Sequence, residues 1–184
     1  MSVENAVREI LLQIGEDPER EGLRDTPVRM ARMFEELTAG YTSSPHDIIK
    51  EALFDIEYDE MVVVKDIEFY SLCEHHMLPF FGTCNVGYIP NGKIVGLSKI
   101  PRIVEVFSRR LQVQERMTAQ IADFLMEELA PLGVAVVAEA HHLCMAMRGI
   151  MKADASMITS SMRGAFKKDE RTRGEFLSFI GKQG

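Results

Sequence analysis

Residues 61–97, MVVVKDIEFYSLCEHHMLPFFGTCNVGYIPNGKIVGL, carry the strongest indication of the fold. Their β-branched and aromatic side chains fall into three segments typical of strands: Met61–Tyr70, Phe80–Ile89 and Lys93–Leu97. Asn91-Gly92 separates the last two segments, and Asn-Gly is a favoured pair for a two-residue hairpin turn. We therefore predict an antiparallel meander with a hairpin between its second and third strands.

The segments after the meander predict two helices followed by two strands. One apolar stripe at helical spacing consists of Ile100, Ile103, Val104 and Phe107, and a second of Met117, Ile121, Phe124, Leu125 and Leu129. The pattern returns to strand at Val134–Met147, with Met157–Phe166 as its hairpin partner, and ends in a helix at Asp169–Ile180. This order predicts an α+β fold in which helices cover one face of an antiparallel sheet.

The first sixty residues predict a helical region in front of that sheet. Apolar residues repeat at helical spacing over Val3–Ile14. Thr26 is the expected N-cap of a second helix, with Pro27 in its first turn. A shorter helix over His46–Leu53 connects to the strands. We expect an N-terminal helical region over residues 1–58 and the main domain over residues 59–184.

Length and composition exclude several classes of protein. The chain has 184 residues, 46% of them hydrophobic, and a mean hydropathy of −0.04, which suits one main domain and excludes disorder. No apolar run approaches the ~20 residues that span a bilayer, and the start of the chain lacks a signal-peptide pattern. Three cysteines are too few for a disulfide framework. We expect a cytoplasmic protein that does not bind membranes.

The net charge of −7 is unevenly distributed along the chain. Residues 1–60 hold six basic and fifteen acidic side chains, net −9, which leaves +2 for residues 61–184. The second region is therefore electrostatically the better host for an anion. The acidic total, without a basic stripe, argues against nucleic-acid binding.

Histidine and cysteine are concentrated in two clusters, Cys73-Glu74-His75-His76 and His141-His142-Leu143-Cys144. Side chains alternate between the two faces of a strand. A strand that continues through the second cluster therefore places His142, Cys144 and Arg148 on one face and His141 on the other. We expect the first three side chains to face one pocket.

The two clusters contain the ligand types that zinc prefers, and three protein ligands leave a fourth tetrahedral position for a water whose pKa falls to ~7. Cys73, His76 and Cys144 fit that count, which leaves His75 and His142 free for proton transfer. A closed structural zinc site, or buried cysteines and histidines without a metal, would show the same spacing. The signatures of zinc metalloproteases and nucleobase deaminases are absent.

Five motifs in order make the chain resemble the GTP cyclohydrolase I family, from about Thr26 to the C-terminus. They are SLCEHH at Ser71–His76, GLSKI at Gly96–Ile100, QVQER at Gln112–Arg116, HLCMAMRG at His142–Gly149 and TRGEFL at Thr172–Leu177. The resemblance implies a tunnelling fold, with two helices packed on a β-sheet, assembled into pentameric barrels and a face-to-face homodecamer. The chain starts close to its first helix, so regulation through a long N-terminal extension is not expected.

The same resemblance implies roles for individual residues. Cys73, His76 and Cys144 are implied ligands of Zn²⁺, which agrees with the open site inferred from the chemistry, and His75 and His142 are implied catalytic histidines. The implied substrate contacts are Gln114 and Glu115 to guanine, and Ser98, Lys99, Arg102 and Arg148 to the triphosphate, with Arg29 reaching in from a neighbouring subunit. A carboxylate at position 115 can accept from guanine N1–H and the exocyclic amine together.

The implied reaction hydrolyses GTP at guanine C8, releases formate and rearranges the product to 7,8-dihydroneopterin triphosphate, the first step of pteridine and tetrahydrofolate biosynthesis. Our hypothesis is that a zinc-activated water attacks C8 while His142 protonates N7, and that His75 assists a later proton transfer. Two alternatives are a non-catalytic tunnelling-fold module and a deazaguanine nitrile reductase. The reductase would need a nucleophilic cysteine and a nicotinamide cofactor, and no dinucleotide-binding glycine motif follows a strand.

Overall fold

The computed structural model describes residues 2–50 and 52–181, as an α+β structure. The helices are α1 (Val3–Gln13), α2 (Thr26–Leu37), α3 (Pro45–Lys50), α4 (Lys99–Ser108), α5 (Gln114–Leu129), α6 (Leu143–Ala146), α7 (Ala165–Lys168) and α8 (Glu170–Ile180). The strands are β1 (Leu53–Asp55), β2 (Val62–Cys73), β3 (Pro79–Ile89), β4 (Lys93–Val95), β5 (Leu111–Gln112), β6 (Gly133–His142) and β7 (Ser156–Gly164). A 3₁₀ turn lies at Ala39–Tyr41.

The main sheet has the strand order β5-β2-β3-β6-β7 and is antiparallel except for the short β5–β2 pair. Its register brings three distant parts of the sequence into one row, because Phe80 lies opposite Ser71 of β2 and opposite His142 of β6. Both histidine and cysteine clusters therefore meet at the same end of the sheet. The antiparallel sheet with two long helices between its strand pairs confirms the predicted tunnelling fold.

The predicted hairpin across Asn91-Gly92 is wrong. The chain does turn there, with Gly92 at a φ of +80°, but β4 then pairs with β1 in a separate two-stranded sheet, with Phe54 opposite Ile94. Both edges of β3 are already occupied, by β2 on one side and β6 on the other. The Asn-Gly signal predicts the turn correctly, but it contains no information about which edges remain open.

Helices α4 and α5 pack on one face of the sheet and form the main core with it. Apolar side chains of both helices, among them Ile103, Val104, Met117 and Ile121, are fully buried against strand residues such as Val136. This is the helical face that the periodicity of residues 100–129 predicts.

Helices α7 and α8 partly cover the opposite face of the sheet, although the sequence predicted helices on one face only. Phe166 of α7 and Phe176 of α8 are buried against Ala135 there. Gly87 lies directly beneath Phe176, where an added Cβ would come within 2.7 Å of the aromatic ring. The small residues in the central strands therefore make room for the C-terminal helices.

The N-terminal helices form at or near their predicted positions. The N-cap of α2 is Asp25 and not Thr26, so the predicted start of that helix is one residue late. The third helix ends at Lys50, earlier than the predicted Leu53, and Glu51 of that predicted range lies outside the described residues. No helix in the described parts of the chain is long and apolar enough to cross a membrane.

Candidate active site

The candidate site lies at the end of the sheet where β2 and β6 finish, on either side of the start of β3. After Cys73 the chain makes a tight turn, in which the backbone N–H groups of His76 and Met77 donate to the Cys73 carbonyl oxygen at 3.3 and 2.7 Å. The turn brings the His76 imidazole back towards the Cys73 thiol. Cys144 approaches from α6, the helical turn that follows β6, and the ligand atoms of all three side chains lie within 4.8 Å of one another.

The second cluster reaches this site in a different way from the predicted strand. The alternation predicted from Val134 holds as far as His142, and His141 on the other face is exposed. Strand β6 ends at His142, and Leu143–Ala146 form one helical turn, so the predicted strand to Met147 is wrong beyond residue 142. Cys144 therefore faces the site because the chain curls after the sheet edge.

The chemistry of these three side chains fits a metal ion. Two sulfurs and one imidazole are the donors that zinc prefers, and the ligand atoms of a tetrahedral zinc site lie about 3.8 Å apart. Burial, followed by the hydrogen bond and charge of Cys73, raises the pKa of the Cys144 thiol. Two neighbouring thiolates repel each other, and a bound cation removes that cost. The group formed by Cys73, His76 and Cys144 could hold a metal ion.

His142 is held in a fixed orientation between an aromatic ring and an amide. The imidazole stacks on the buried Phe80 ring with centroids 4.6 Å apart and an interplanar angle of 3°. Its Nε2 atom lies 2.8 Å from Oε1 of Gln114. Burial lowers the pKa of His142, and the nearby charge of Glu115 acts in the opposite direction. Burial therefore favours the neutral form of the ring.

The Gln114 side chain is buried and hydrogen-bonded within the chain, whereas the resemblance implies that it contacts guanine. It is the first residue of α5, and only 1% of its surface is exposed. Its amide nitrogen lies within hydrogen-bonding distance of the carbonyl oxygens of Ala138 and Met157 and of the Thr159 hydroxyl, while its oxygen faces His142. Both ends of the amide are thus engaged within the chain, whereas Glu115 next to it is exposed.

His75 and Glu74 lie in the turn after β2, between the metal-ligand candidates Cys73 and His76. Nδ1 of His75 lies 3.8 Å from the Cys73 sulfur, and the His75 side chain is 65% exposed. Glu74 forms an ion pair with Arg116 of α5, and its backbone N–H donates to the Gln112 carbonyl oxygen at 3.0 Å. The sequence reading missed this connection between the turn and α5. Glu74 lies in the SLCEHH motif and Arg116 in the QVQER motif, but no spacing rule predicts a contact between residues so far apart in the sequence.

Arg148 contacts one of the three metal-ligand candidates directly. Its Nη1 lies 2.8 Å from Nε2 of His76. Arginine has only donors, so His76 Nε2 must accept with its lone pair. A metal ion bound at Nε2 would use that lone pair, and a neutral imidazole bound through Nδ1 would carry a proton on Nε2. In either case a bound metal would displace Arg148 from His76 and leave its guanidinium available to an anion.

The remaining implied triphosphate residues lie elsewhere on the chain. Leu97 and Ile100, which flank Ser98 and Lys99, line a cavity with Val62 and Val64 of β2. Cys73 lies nine residues beyond Val64, or about 30 Å along an extended strand.

Two implied arginines occupy other surfaces. Arg102 lies beside Ile67 and Phe69 with Glu105 and Arg109. Arg29 forms an exposed ion pair with Asp25 at 3.3 Å. The chain by itself therefore brings together the metal group, both histidines, Gln114, Glu115 and Arg148, but not Ser98 or Lys99.

Comparison with known proteins agrees with this geometry. The model of the GTP cyclohydrolase I family matches residues 3–181. The chain belongs to the GTP cyclohydrolase I family. GTP cyclohydrolase 1 of Chlorobaculum tepidum is 59% identical over 180 residues, which cover 98% of this chain and 80% of that protein. GTP cyclohydrolase 1 of Wolinella succinogenes is 56% identical, with 98% and 96% of the two chains covered.

A solved structure gives a much weaker match than these members of the GTP cyclohydrolase I family. The apo form of the archaeosine synthase QueF-Like has a TM-score of 0.45 and 17% identity, over 56% of this chain and 93% of that chain. Similarity this low bears on neither fold nor function.

Proposed function

We propose that this chain catalyses the GTP cyclohydrolase I reaction: hydrolysis of GTP at guanine C8, release of formate and rearrangement to 7,8-dihydroneopterin triphosphate. One observation carries the proposal. In a chain of this family, the Cys73, His76 and Cys144 ligand atoms converge within 4.8 Å, and Cys144 lies two residues from the half-buried His142. The same site has an exposed carboxylate, Glu115, for the base.

Zinc is the metal we propose for this site, held by Cys73, His76 and Cys144. When bound, it supplies Lewis acidity that lowers the pKa of a water molecule into the neutral range. Three protein ligands leave room for that function, while a fourth would close the site. His75 and His142 are not needed as ligands and are proposed to move protons.

His142 is proposed to accept a proton from the attacking water and to deliver it to guanine N7. The sequence-based hypothesis used His142 only as an acid, but its lowered pKa makes the resting ring a proton acceptor first. The proton then reaches N7 as the C8–N bond weakens, because an amine leaves more easily with a proton than without one. His75, exposed beside Cys73, is proposed to assist a later proton transfer.

GTP is proposed to bind through Glu115 at the guanine ring and through Ser98, Lys99, Arg102, Arg148 and Arg29 at the triphosphate. Ser98 and Lys99 lie far from the metal group of the same chain, so we propose that a neighbouring subunit supplies them in a homodecamer of two pentamers. A cytoplasmic location is part of the proposal, because Cys73, Cys84 and Cys144 are all free thiols.

The alanine variant of His142 tests the proposed chemistry. His142→Ala should retain the metal and lose formate release from GTP by at least about 10²-fold, since general acid–base groups contribute roughly that much. His141→Ala is the matched control, because this exposed neighbour lies on the other face of β6. Full turnover by His142→Ala would remove His142 from the mechanism. A wild-type protein that binds GTP without releasing formate would be a binding module instead.

A further inference from the structure

The side chain of Gln114 has only one possible amide orientation in this structure. The carbonyl oxygens of Ala138 and Met157 lie 3.0 and 2.9 Å from one end of the amide, and they can only accept hydrogen bonds. The donor nitrogen must therefore face them. The Thr159 hydroxyl, at 3.2 Å from the same end, adds a third contact. The amide oxygen is left to face His142.

This orientation determines which nitrogen of His142 carries a proton. The Gln114 oxygen accepts at 2.8 Å from Nε2 of His142, so Nε2 must be the protonated nitrogen. In a neutral imidazole the other nitrogen, Nδ1, then has the free lone pair. The parallel stack on Phe80 holds the ring plane, and turning the ring over would lose the bond to Gln114.

Contact between Gln114 and guanine would require a different arrangement. The amide would have to leave all the partners named above and expose a residue that is now 1% accessible. The carbonyl oxygen of Ala138 would then lose a donor in the buried interior, which is costly. Glu115 is exposed on the same helical turn and can meet the base without this rearrangement.

We propose that Gln114 is a positioning residue that acts through His142. It holds His142 as the Nε2–H tautomer, so that Nδ1 is the atom that exchanges a proton with the substrate, and it does not touch guanine. The inference rests on the proposed function, because it concerns the same reaction. It also gives a buried polar residue of the QVQER motif a role that its position allows.

The tautomer can be measured in the resting wild-type protein without any substrate. Selective ¹⁵N labelling of the five histidines, at a pH above the neutral range, gives ring-nitrogen shifts that distinguish the tautomers. The His142 signals are assigned by their loss in His142→Ala. We expect a protonated Nε2 and an unprotonated Nδ1. A proton on Nδ1, alone or together with one on Nε2, would overturn the proposal.

Kinetics separate positioning from guanine binding. Gln114→Met should lower kcat for formate release by about 10²-fold and change KM for GTP by less than about threefold, because proton transfer is lost while binding remains. Thr159→Val is the matched control, since it removes one partner of the amide but not the bond to His142. It should keep the tautomer and keep kcat within about threefold. A tenfold rise in KM with unchanged kcat in Gln114→Met would identify a guanine contact instead.

A second variant covers the possibility that Gln114→Met does not fold. In Gln114→Glu, burial against the carbonyl oxygens of Ala138 and Met157 favours the protonated acid, whose O–H can donate to one of them. Its other oxygen still accepts from Nε2, so this variant should preserve the Nε2–H tautomer and have a higher kcat than Gln114→Met. Loss of that tautomer in a folded Gln114→Glu protein would contradict the proposal. If the wild-type protein releases no formate from GTP, the proposed function fails, while the ring-nitrogen shifts still decide the link between Gln114 and His142.

Discussion

The three cysteines have different surroundings, and these surroundings separate structural from chemical roles. Cys84 is fully buried in β3, and burial raises the pKa of its thiol to about 12. Cys73 at the end of β2 and Cys144 in α6 lie close together, and their sulfurs and a ring nitrogen of His76 are within 4.8 Å of one another. The residue types and the short spacing of the clusters marked these three side chains as candidate ligands, because zinc ligands recur in such spacings. They left a closed structural site and a metal-free site open.

Removal of Cys144 should therefore remove the metal. Cys144→Ala leaves only two ligands, and we expect its zinc content, measured by atomic emission after repletion, to fall to background. Cys84→Ala is the control, because it removes a thiol of the core and should retain zinc in its folded fraction. Zinc retained at the wild-type level by Cys144→Ala would exclude this residue as a ligand.

Replacement of Arg148 should strengthen metal binding, whereas replacement of Cys144 should abolish it. Arg148→Met removes a hydrogen bond to His76 that metal binding must break, and it also removes a nearby positive charge. We expect zinc to bind roughly two- to tenfold more tightly, since a hydrogen bond of this kind is worth about 0.5–1.5 kcal/mol. Competition with a chromophoric chelator measures the affinity, with Arg102→Met as the control. Weaker binding in Arg148→Met would show that Arg148 supports the site.

Some residue roles could not be predicted from the sequence. The bond from Gln114 to His142 and the contact of Arg148 with His76 join side chains from different elements. The local sequence around each of these four residues does not specify either contact. Motif resemblance selected these residues, but only the fold shows which of their atoms are already engaged.

At the scale of elements, local patterns predicted where helices and strands lie better than how they pair. Periodicity predicted α4, α5 and the hairpin of β6 with β7, because each pattern reports which side of its own segment is buried. It failed for β4, whose partner depends on whether the edges of β3 are open. It also failed beyond His142, where the apolar run continues but the strand has ended. Division into residues 1–58 and 59–184 remains a prediction.

The start of α8 gives a pH-dependent prediction. The Thr172 hydroxyl and the backbone N–H groups of Thr172 and Arg171 donate to the Asp169 carboxylate and lower its pKa. This stabilisation is fully present above the pKa of the unfolded carboxyl and is lost as the pH falls through the lower, folded value. Asp169→Ala should therefore lower Tm at neutral pH, and the difference from wild type should shrink in acid.

Thermal unfolding followed by circular dichroism at several pH values measures this effect. Asp154→Ala removes an exposed carboxylate away from any helix start and is the control. A Tm difference for Asp169→Ala that stays constant from neutral to strongly acidic pH would show that the carboxylate charge does not cap α8.

At the scale of the whole molecule, one chain contains only part of the proposed site. The metal group and His142 lie at one end of the main sheet. Leu97 and Ile100, which flank Ser98 and Lys99, line a cavity with Val64 of β2, and about 30 Å of extended strand separates Val64 from Cys73. A GTP molecule cannot bridge that distance. In the proposed oligomer, Ser98 and Lys99 of one subunit lie next to the metal group of a neighbouring subunit, so that one GTP molecule can contact both.

Mixed assemblies test this arrangement. Co-assembled Lys99→Ala and His142→Ala chains should recover part of the formate release that each variant lacks alone, because some sites then combine two intact halves. Co-assembled Cys144→Ala and His142→Ala chains are the control and should remain inactive, since both changes affect the same half. Recovery in both mixtures, or in neither, would contradict a site shared between subunits.

One metal ion, held by two sulfurs and one imidazole, is proposed to make this chain able to open the guanine ring of GTP. The most direct measurement is formate release from GTP while zinc is titrated into the metal-free protein. We predict that the rate rises in proportion to added zinc and stops rising at one zinc per chain. Formate release by metal-free protein, or none after one zinc per chain has bound, would contradict the account.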